Sequence, residues 1–299
     1  MERVTNDQMQ RALITNIHTA QRRLMETTDQ LSSGYRISKP SDDAIGAPQV
    51  LDLLTHQTQL DQYDKNLDAA RAWSISSESA LSQSQDIVQR VRTLTLQAAN
   101  DSASASSRAS TAAEINNLID SIKSLANSKL GDQYLFSGTK TDIAPYQAPP
   151  SDTYWGDNGS VLRVVGAGQQ IEVNVTADQV WGNSASGLIQ AMRTIAANLT
   201  TNSSASITQL RSTDLQNLDS SISNLTAMQA QLGATQNRLD VQTQHLGDLA
   251  LANQELLSIT RDTDIAVASA EYSQRAAALN AALKTGQQIV QPSLMDFIR

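Results

Sequence analysis

A leucine repeat near the C-terminal end constrains this chain more than any other feature. Leucine occupies every seventh position at Leu218, Leu225, Leu232, Leu239 and Leu246. A seven-residue apolar repeat is typical of a long α-helix that packs lengthwise against another helix. Full burial of a leucine stabilises a fold by about 1.5–3 kcal/mol, so five of them can hold two long helices together.

An earlier segment shows the same spacing, with Leu53, Leu60 and Leu67 seven residues apart. Neither glycine nor proline occurs between Pro48 and Gly131, so a very long second helix is expected after Pro48. The polar run at 100–107 is the predicted break, and a third helix is expected to follow it and to end at Gly131. We predict a mainly α fold, an elongated coiled-coil or helical bundle formed by the N- and C-terminal segments. Residues 42–131 and 205–257 are predicted to form its long-helix bundle, with the eight leucines as core.

Both ends of the chain carry narrower apolar rows. The N-terminal row is Leu13, Ile17, Leu24 and Leu31, and the C-terminal row is Ile265, Tyr272, Leu279, Leu283 and Val290. The C-terminal row is interspersed with alanine and is too thin to stabilise an isolated helix well. Residues 1–41 and 258–299 are therefore predicted to form a terminal coiled-coil domain that is disordered in the monomer and completed by neighbouring subunits.

The sequence LSSGYRISKPSDDAIG, residues 31–46, interrupts the helical pattern near the N-terminus. Gly34 stands where a helix end favours a left-handed residue, and Pro40 forces the preceding residue towards an extended conformation. Asp42 and Asp43 offer capping carboxylates for the next helix. We interpret these four residues as a joint between two helical pieces.

Glycine, proline and aromatic residues are concentrated between about 132 and 183, within a predicted third domain of residues 132–204. Residues 161–165 and 170–175 are predicted strands, with Gly166 and Gly168 in a hairpin turn between them. The segment is expected to be a small β-rich domain inserted between helices. Tyr154, Trp155 and Trp181 are predicted to lie in its core.

Composition excludes several classes of function. The chain has no cysteine, 4% aromatic residues and a formal net charge of −8. Nucleic acids and anionic membranes bind basic surfaces, so neither is an expected partner. The charged N-terminal segment lacks the apolar region of a secretory signal peptide.

No catalytic pattern stands out in the sequence. The three histidines are far apart, and the paired aspartates precede predicted helices, where capping explains them. The two glycines of the predicted hairpin lack the third glycine of a dinucleotide site. We predict that the chain is not an enzyme and has no metal, cofactor or catalytic residue.

Several stretches of the sequence together resemble one known protein family. They are RVTN at 3–6, LSSGYRISKPSDDAIGA at 31–47, YLFSGTKTD at 134–142, AAALNAALKTGQQI at 276–289 and LMDF at 294–297. Together they resemble the flagellar hook-associated protein 3 family, the hook–filament junction proteins related to flagellin. Flagellins share the Leu-Ser-Ser-Gly and Asp-Asp-Ala elements, so the joint alone does not separate the two groups.

The resemblance implies that the termini pair as an innermost domain and that the β insertion faces solvent. It implies export by the flagellar type III apparatus, and a final extracellular location in the flagellum. The implied partners are other copies of the chain in a ring, the other hook-associated junction protein, flagellin, and a cytoplasmic export chaperone on the C-terminal segment. A flagellin that forms the filament itself and a cytosolic coiled-coil adaptor remain the alternatives.

Overall fold

The computed structural model describes residues 6–147, 151–183 and 185–295. Residues 1–5 and 296–299, which belong to the predicted terminal domain, lie outside the described residues. The helices are α1 (Asn6–Ser33), α2 (Gly46–Ala98), α3 (Ala105–Ala126), α4 (Ala177–Trp181), α5 (Leu188–Thr201), α6 (Ser204–Gln209), α7 (Leu215–Arg261) and α8 (Ile265–Met295). A π-helical turn, Leu210–Asp214, precedes α7. The predicted mainly α fold with a small β insertion is confirmed.

The strands form two small antiparallel sheets. One pairs β1 (Lys129–Leu130) with β2 (Gln133–Tyr134), and the other pairs β3 (Leu162–Gly166) with β4 (Gln169–Glu172). Gly168 has φ of +70° in the second hairpin, a conformation that glycine adopts without a steric cost. The predicted third helix ends at Ala126, and Gly131 lies in the first hairpin instead.

The chain divides into two compact units. The terminal unit contains Met1–Gln59 and Leu249–Arg299, and the central unit contains Leu60–Asp248. Both small sheets and helices α3 to α6 lie in the central unit. The three domain ranges predicted from the sequence stay a prediction.

The core of the central unit is a row of apolar side chains from the long helices and the segment between them. The heptad leucines Leu218, Leu225, Leu232, Leu239 and Leu246 are all buried, with at most 4% exposed. Leu67 is buried and Leu60 is half-buried against the same core. Helix α3 adds Ile115, Ile119 and Ile122, each fully buried.

Trp181 fastens the β insertion to this core. Its ring packs edge-on against Phe136 with centroids 4.8 Å apart, and its Nε1 donates a hydrogen bond to Ser84 Oγ over 3.2 Å. Tyr154 is half-buried, and its hydroxyl donates to the Asp157 carbonyl over 2.6 Å. Trp155 is 48% exposed, so the prediction that it lies in the core is wrong.

Two arginine side chains donate hydrogen bonds to the carbonyl groups at the C-terminal end of α2. Arg108 Nε donates to the carbonyl of Ala98 over 2.9 Å, and Arg211 Nε donates to that of Ala99 over 2.8 Å. The last carbonyls of a helix have no partner within it and carry partial negative charge, so guanidinium groups stabilise them. Ser104 then begins α3 by accepting a hydrogen bond from the Ser107 N–H.

Candidate assembly site: the terminal helix pair and its joint

Helices α1 and α8 pack against each other in the terminal unit. Contacts join Thr27 to Arg275 and place Leu13 beside Gly286, so the residue numbers rise on one helix as they fall on the other. The two helices are therefore antiparallel. The predicted N-terminal row, Leu13, Ile17, Leu24 and Leu31, is half-buried on α1.

The predicted C-terminal row sits differently on α8. Leu279 is half-buried, but Ile265, Tyr272 and Leu283 are 66%, 40% and 41% exposed. The side chain of Val290 lies outside the described residues. Among the α8 residues whose burial is described, the buried and half-buried ones are mostly small or polar, and Leu279 is the one that belongs to the predicted row: Ala268, Glu271, Arg275, Ala276, Leu279, Ala282 and Gly286.

Arg275 makes a polar contact within this apolar pair. Its Nη1 donates to the Arg23 carbonyl over 2.9 Å and to Thr27 Oγ1 over 2.7 Å, and its Nη2 donates to Glu271 Oε2 over 2.7 Å. Thr27 is fully buried. Sequence reasoning missed Arg275, and the available signal was a lone cation amid alanines with a glutamate four residues before it.

The first joint begins where α1 ends. Gly34 has φ of +75°, and its N–H donates to the Gln30 carbonyl over 2.9 Å. This is the left-handed residue that closes a helix, and a Cβ would make the conformation costly. Pro40 follows in a turn closed by the Asp42 N–H, which donates to the Lys39 carbonyl over 3.0 Å.

The two adjacent aspartates of the joint accept hydrogen bonds from different backbone segments. Asp42 Oδ2 accepts hydrogen bonds from the N–H groups of Ser38 and Lys39, at 3.0 and 2.9 Å. Asp43 Oδ1 accepts from those of Ile45 and Gly46, at 3.0 and 2.9 Å, and thereby caps α2. These backbone donors favour the ionised carboxylates and lower the pKa of each below its ordinary value.

A second joint lies between α7 and α8. Only Asp262, Thr263 and Asp264 separate the two helices. Asp264 Oδ1 accepts hydrogen bonds from the N–H groups of Ala266 and Val267, at 2.9 and 3.2 Å, and so caps α8. The two joints thus use the same device, an aspartate that begins the outgoing helix.

The two joints pair with each other, and we name residues 35–37 and 261–263 the joint clasp. Tyr35 and Asp262 form an antiparallel bridge, in which the Arg36 N–H donates to the Arg261 carbonyl over 2.6 Å and the Thr263 N–H to the Gly34 carbonyl over 2.9 Å. The Arg261 guanidinium lies 3.9 Å from the centroid of the Tyr35 ring. Segments more than 200 residues apart in sequence are therefore joined by their backbones.

Arg36 ties the clasp to both long helices of this unit. Its Nη2 donates to the Thr260 carbonyl in the last turn of α7 over 2.6 Å, and its Nη1 lies 3.2 Å from Asp43 Oδ2. One guanidinium therefore binds the C-terminal end of one helix and the N-cap of another.

A small apolar cluster lies beside the clasp. It consists of Ile37, Ala47, Val50 and Leu257, with the predicted core residue Leu53 half-buried against it. Asn253 is also buried there, and its Nδ2 donates to the Leu53 carbonyl over 3.1 Å and to Gln57 Oε1 over 3.0 Å.

Large apolar side chains are concentrated on the surface of the terminal unit. Of the 22 such residues exposed in the described part of the chain, seven precede residue 60 and eight follow residue 248. They include Ile45, Leu251 and Ile259, which are 79%, 67% and 72% exposed. The central unit has more residues but only seven of these side chains. A concentration of exposed apolar side chains of this kind is typical of a surface that another chain covers.

Within the described ranges, no group of three or more histidine, cysteine, aspartate or glutamate residues is placed to hold a metal ion. None of the described helices is both long enough and apolar enough to cross a membrane.

Comparison with known proteins identifies the class. The model of the bacterial flagellin N-terminal helical region matches residues 4–141, and that of the bacterial flagellin C-terminal helical region matches residues 215–298. The two matched regions contain α1 to α3, α7 and α8, including both joints. The chain belongs to the flagellin-related family.

The more particular likeness covers nearly the whole chain. It is 27% identical to the flagellar hook-associated protein 3 of Escherichia coli, over 94% of this chain and 95% of that protein. It is 26% identical to the protein of the same name from Salmonella typhimurium, over 99% of this chain and 100% of the other. The crystal structure of hook-associated protein 3 from Legionella pneumophila has the same fold, with a TM-score of 0.63, 17% identity, and coverage of 70% of this chain and 98% of that one. Flagellins are also among the relatives.

Proposed function

We propose that this chain is a structural subunit of the bacterial flagellum that forms the junction between hook and filament. The observation that carries the proposal is the surface of the terminal unit, whose described residues include fifteen exposed large apolar side chains. A surface of this kind is typical of an interface that another chain covers, and we propose that copies of the same chain cover it and form a ring. The full-length likeness to hook-associated protein 3 supports the junction as the place of assembly.

The four residues of the first joint are proposed to be assembly residues. Gly34, Pro40, Asp42 and Asp43 are proposed to fix where the terminal helices leave the long helices, since they end one helix and begin the next. The N-terminal row on α1 and the exposed residues Ile265, Tyr272 and Leu283 on α8 are proposed to contact neighbouring subunits. The eight leucines of the long helices are proposed to hold the subunit together.

The proposed partners follow from position. In a junction, copies of this chain contact the other hook-associated junction protein on the hook side and flagellin on the filament side. Residues 1–41 and 258–299 are proposed to form the innermost domain, unfolded until neighbours complete it. Before export through the type III apparatus, a cytoplasmic chaperone is proposed to cover the apolar face of the C-terminal segment. Catalysis and cofactor binding have no part in this function.

Deletion of the gene tests the proposal. Electron microscopy of the deletion cells is combined with an immunoblot of the culture medium for flagellin. Hooks without filaments, together with flagellin in the medium, are expected, because subunits that are exported without a base to polymerise on are lost. Bare hooks with no flagellin in the medium would identify the chain as the filament subunit. Normal filaments would contradict both assignments.

A further inference from the structure

One asparagine of the β insertion is followed directly by a glycine, and Asn158–Gly159 is the only such pair in the sequence. Asparagine is a thermally labile residue. When glycine follows it, the backbone nitrogen of the glycine can attack the side-chain amide carbon, because no Cβ hinders the approach. Asn158 is exposed to water, so its hydrogen bonds decide whether this reaction proceeds in the folded chain.

The reaction replaces the side-chain amide by a carboxylate. The Gly159 nitrogen forms a bond to Asn158 Cγ, the bond from Cγ to Nδ2 breaks, and Nδ2 leaves as ammonia with the proton of the Gly159 N–H. Water then opens the resulting imide ring at one of its two carbonyl groups and leaves aspartate or isoaspartate. One water is consumed and one ammonia is released, and nothing is oxidised or reduced.

Both ends of the Asn158 amide are held by the segment that begins α4. Thr176 Oγ1 donates a hydrogen bond to Asn158 Oδ1 over 3.2 Å, and Asn158 Nδ2 donates to Asp178 Oδ2 over 3.3 Å. Thr176 is the N-cap residue of α4 and is only 3% exposed. Ring closure moves Cγ onto the Gly159 nitrogen, and the amide cannot make that movement while both of its ends are bound.

The attacking nitrogen is held as well. The Gly159 N–H donates to Asp157 Oδ1 over 3.1 Å. The Thr139 hydroxyl and N–H also donate to this carboxyl group, over 2.5 and 2.7 Å, and these bonds lower the pKa of Asp157 and keep it ionised. Attack requires the nitrogen to lose its proton, and the negative charge that this creates would lie beside the Asp157 carboxylate.

We propose that Asn158 is a deamidation site that the folded β insertion protects and that becomes reactive when this part of the chain unfolds. A chain that has reacted refolds with a carboxylate opposite Asp178, so repulsion replaces the hydrogen bond that the amide makes there. The contacts of Thr176, Asp178 and Asp157 therefore protect the covalent structure of the chain. The proposal holds or fails independently of the proposed function.

A second Asn–Gly pair in the same insertion provides an internal reference. Ala167 is exposed and precedes Gly168 in the turn of the β3–β4 hairpin, where a Cβ built on Gly168 meets no atom within 4 Å. Ala167→Asn therefore places an asparagine before a glycine at an open position. The full-length subunit is incubated at neutral pH, and conversion at both sites is followed by mass spectrometry of the peptides that contain them.

In the folded chain, Asn158 is expected to react at least about tenfold more slowly than the reference site. Loss of a hydrogen bond to a charged group costs about 1.5–3 kcal/mol, which corresponds to a rate difference of this size. In urea that unfolds the chain, the two sites are expected to react at similar rates.

Thr176→Val tests the contacts themselves, because it removes the hydroxyl and keeps the shape of a buried side chain. The rate at Asn158 in the folded chain is expected to rise several-fold, with no change at the reference site. Thr95→Val is the matched control, since Thr95 is also buried and its hydroxyl donates within α2, to the Val91 carbonyl. This control should leave the rate at Asn158 unchanged.

The effect of the product is measured separately by urea unfolding. Asn158→Asp carries the product carboxylate on an ordinary backbone, and Asn158→Ala removes the amide without adding a charge. The midpoint of the tryptophan fluorescence transition is expected to be lower for Asn158→Asp than for Asn158→Ala.

Equal rates at the two sites in the folded chain would overturn the proposal, and so would a rate at Asn158 that urea does not raise. If Thr176→Val leaves the rate at Asn158 unchanged, or Thr95→Val raises it equally, the named contacts do not give the protection and the proposal is wrong. A midpoint for Asn158→Asp that equals or exceeds that of Asn158→Ala would overturn the proposed repulsion by Asp178.

Discussion

Leu225 offers a quantitative test of whether the central unit supplies the stability of the subunit and the terminal unit supplies its assembly surface. Leu225 is fully buried in the core of the central unit, whereas Leu251, on the same helix α7, is 67% exposed in the terminal unit. Leu225→Ala removes three buried carbon atoms at about 0.8 kcal/mol each and leaves a cavity, so a loss of about 3–4 kcal/mol in unfolding free energy is expected. Leu251→Ala removes the same atoms from a largely solvated site and should cost under about 1 kcal/mol.

Urea unfolding measures both effects with two probes. All three tryptophans, Trp73, Trp155 and Trp181, lie in the central unit, so their fluorescence reports on that unit alone. Far-UV circular dichroism reports on all the helices. Leu225→Ala should lower the midpoint of the fluorescence transition clearly, and Leu251→Ala should shift neither transition much.

In a functional assay, Leu251→Ala is expected to have a larger effect than its small loss of stability would suggest. In deletion cells complemented with each variant, Leu251→Ala should reduce motility although the subunit is stable, because it removes part of the surface proposed for assembly. The reasoning is refuted if the two variants lose equal stability, since exposure would then not decide the contribution of a leucine. It is also refuted if Leu251→Ala changes neither stability nor motility.

Three further predictions concern the joint, the chain ends and a buried ion cluster. Replacing Gly34 and Pro40 together by Ala should impair motility in complemented cells while it lowers the melting temperature of the isolated subunit only slightly. A loss of motility that is matched by a comparable loss of thermal stability would contradict the role of the joint. Limited proteolysis of the subunit should cleave within 1–40 and 260–299 before it cleaves elsewhere, because the terminal pair is thin; full protection of both ends would show that it folds without neighbours. Asp152→Asn should lower unfolding free energy by about 3 kcal/mol at pH 7, since it leaves cationic partners in a mostly buried cluster, and the difference from the natural chain should shrink in acid.

The sign of that pH dependence follows from the contacts of Asp152. Burial opposes its ionisation, but hydrogen bonds from Arg193 over 2.8 Å and from Lys123 over 3.2 Å outweigh burial and lower its pKa. A carboxyl with a lowered pKa stabilises the fold above its unfolded pKa and loses that contribution as pH falls through the folded value. Urea midpoints of the natural chain and the Asn variant should therefore converge below about pH 4.

The sequence predicts those parts of the fold that depend on local pattern. A strict leucine repeat identifies the buried side of α7, because each residue rotates by a fixed angle about the helix axis. The ends of α1 and α2 follow from Gly34 and Asp43, whose own backbone and side-chain chemistry end and begin helices.

The parts that escaped prediction depend on contacts between distant segments. Hydrophobicity selects Tyr272 and Leu283 on α8, but these are exposed, whereas Ala282 is half-buried and Gly286 is buried against Leu13 of α1. The hydrogen bond from Arg36 to Thr260 crosses 224 residues of sequence, and no local pattern announces it. The sequence therefore does not predict that the short segment between α7 and α8 pairs with the first joint.

The most direct test of the central claim is to see where the protein lies. An epitope placed at the exposed Trp155 in the β insertion, followed by immunogold labelling of purified flagella, gives the position in one image. Label confined to a single band between hook and filament is the result that the proposed function predicts. Label along the whole filament would make the chain a flagellin, and absence of label from intact flagella would contradict a structural role there.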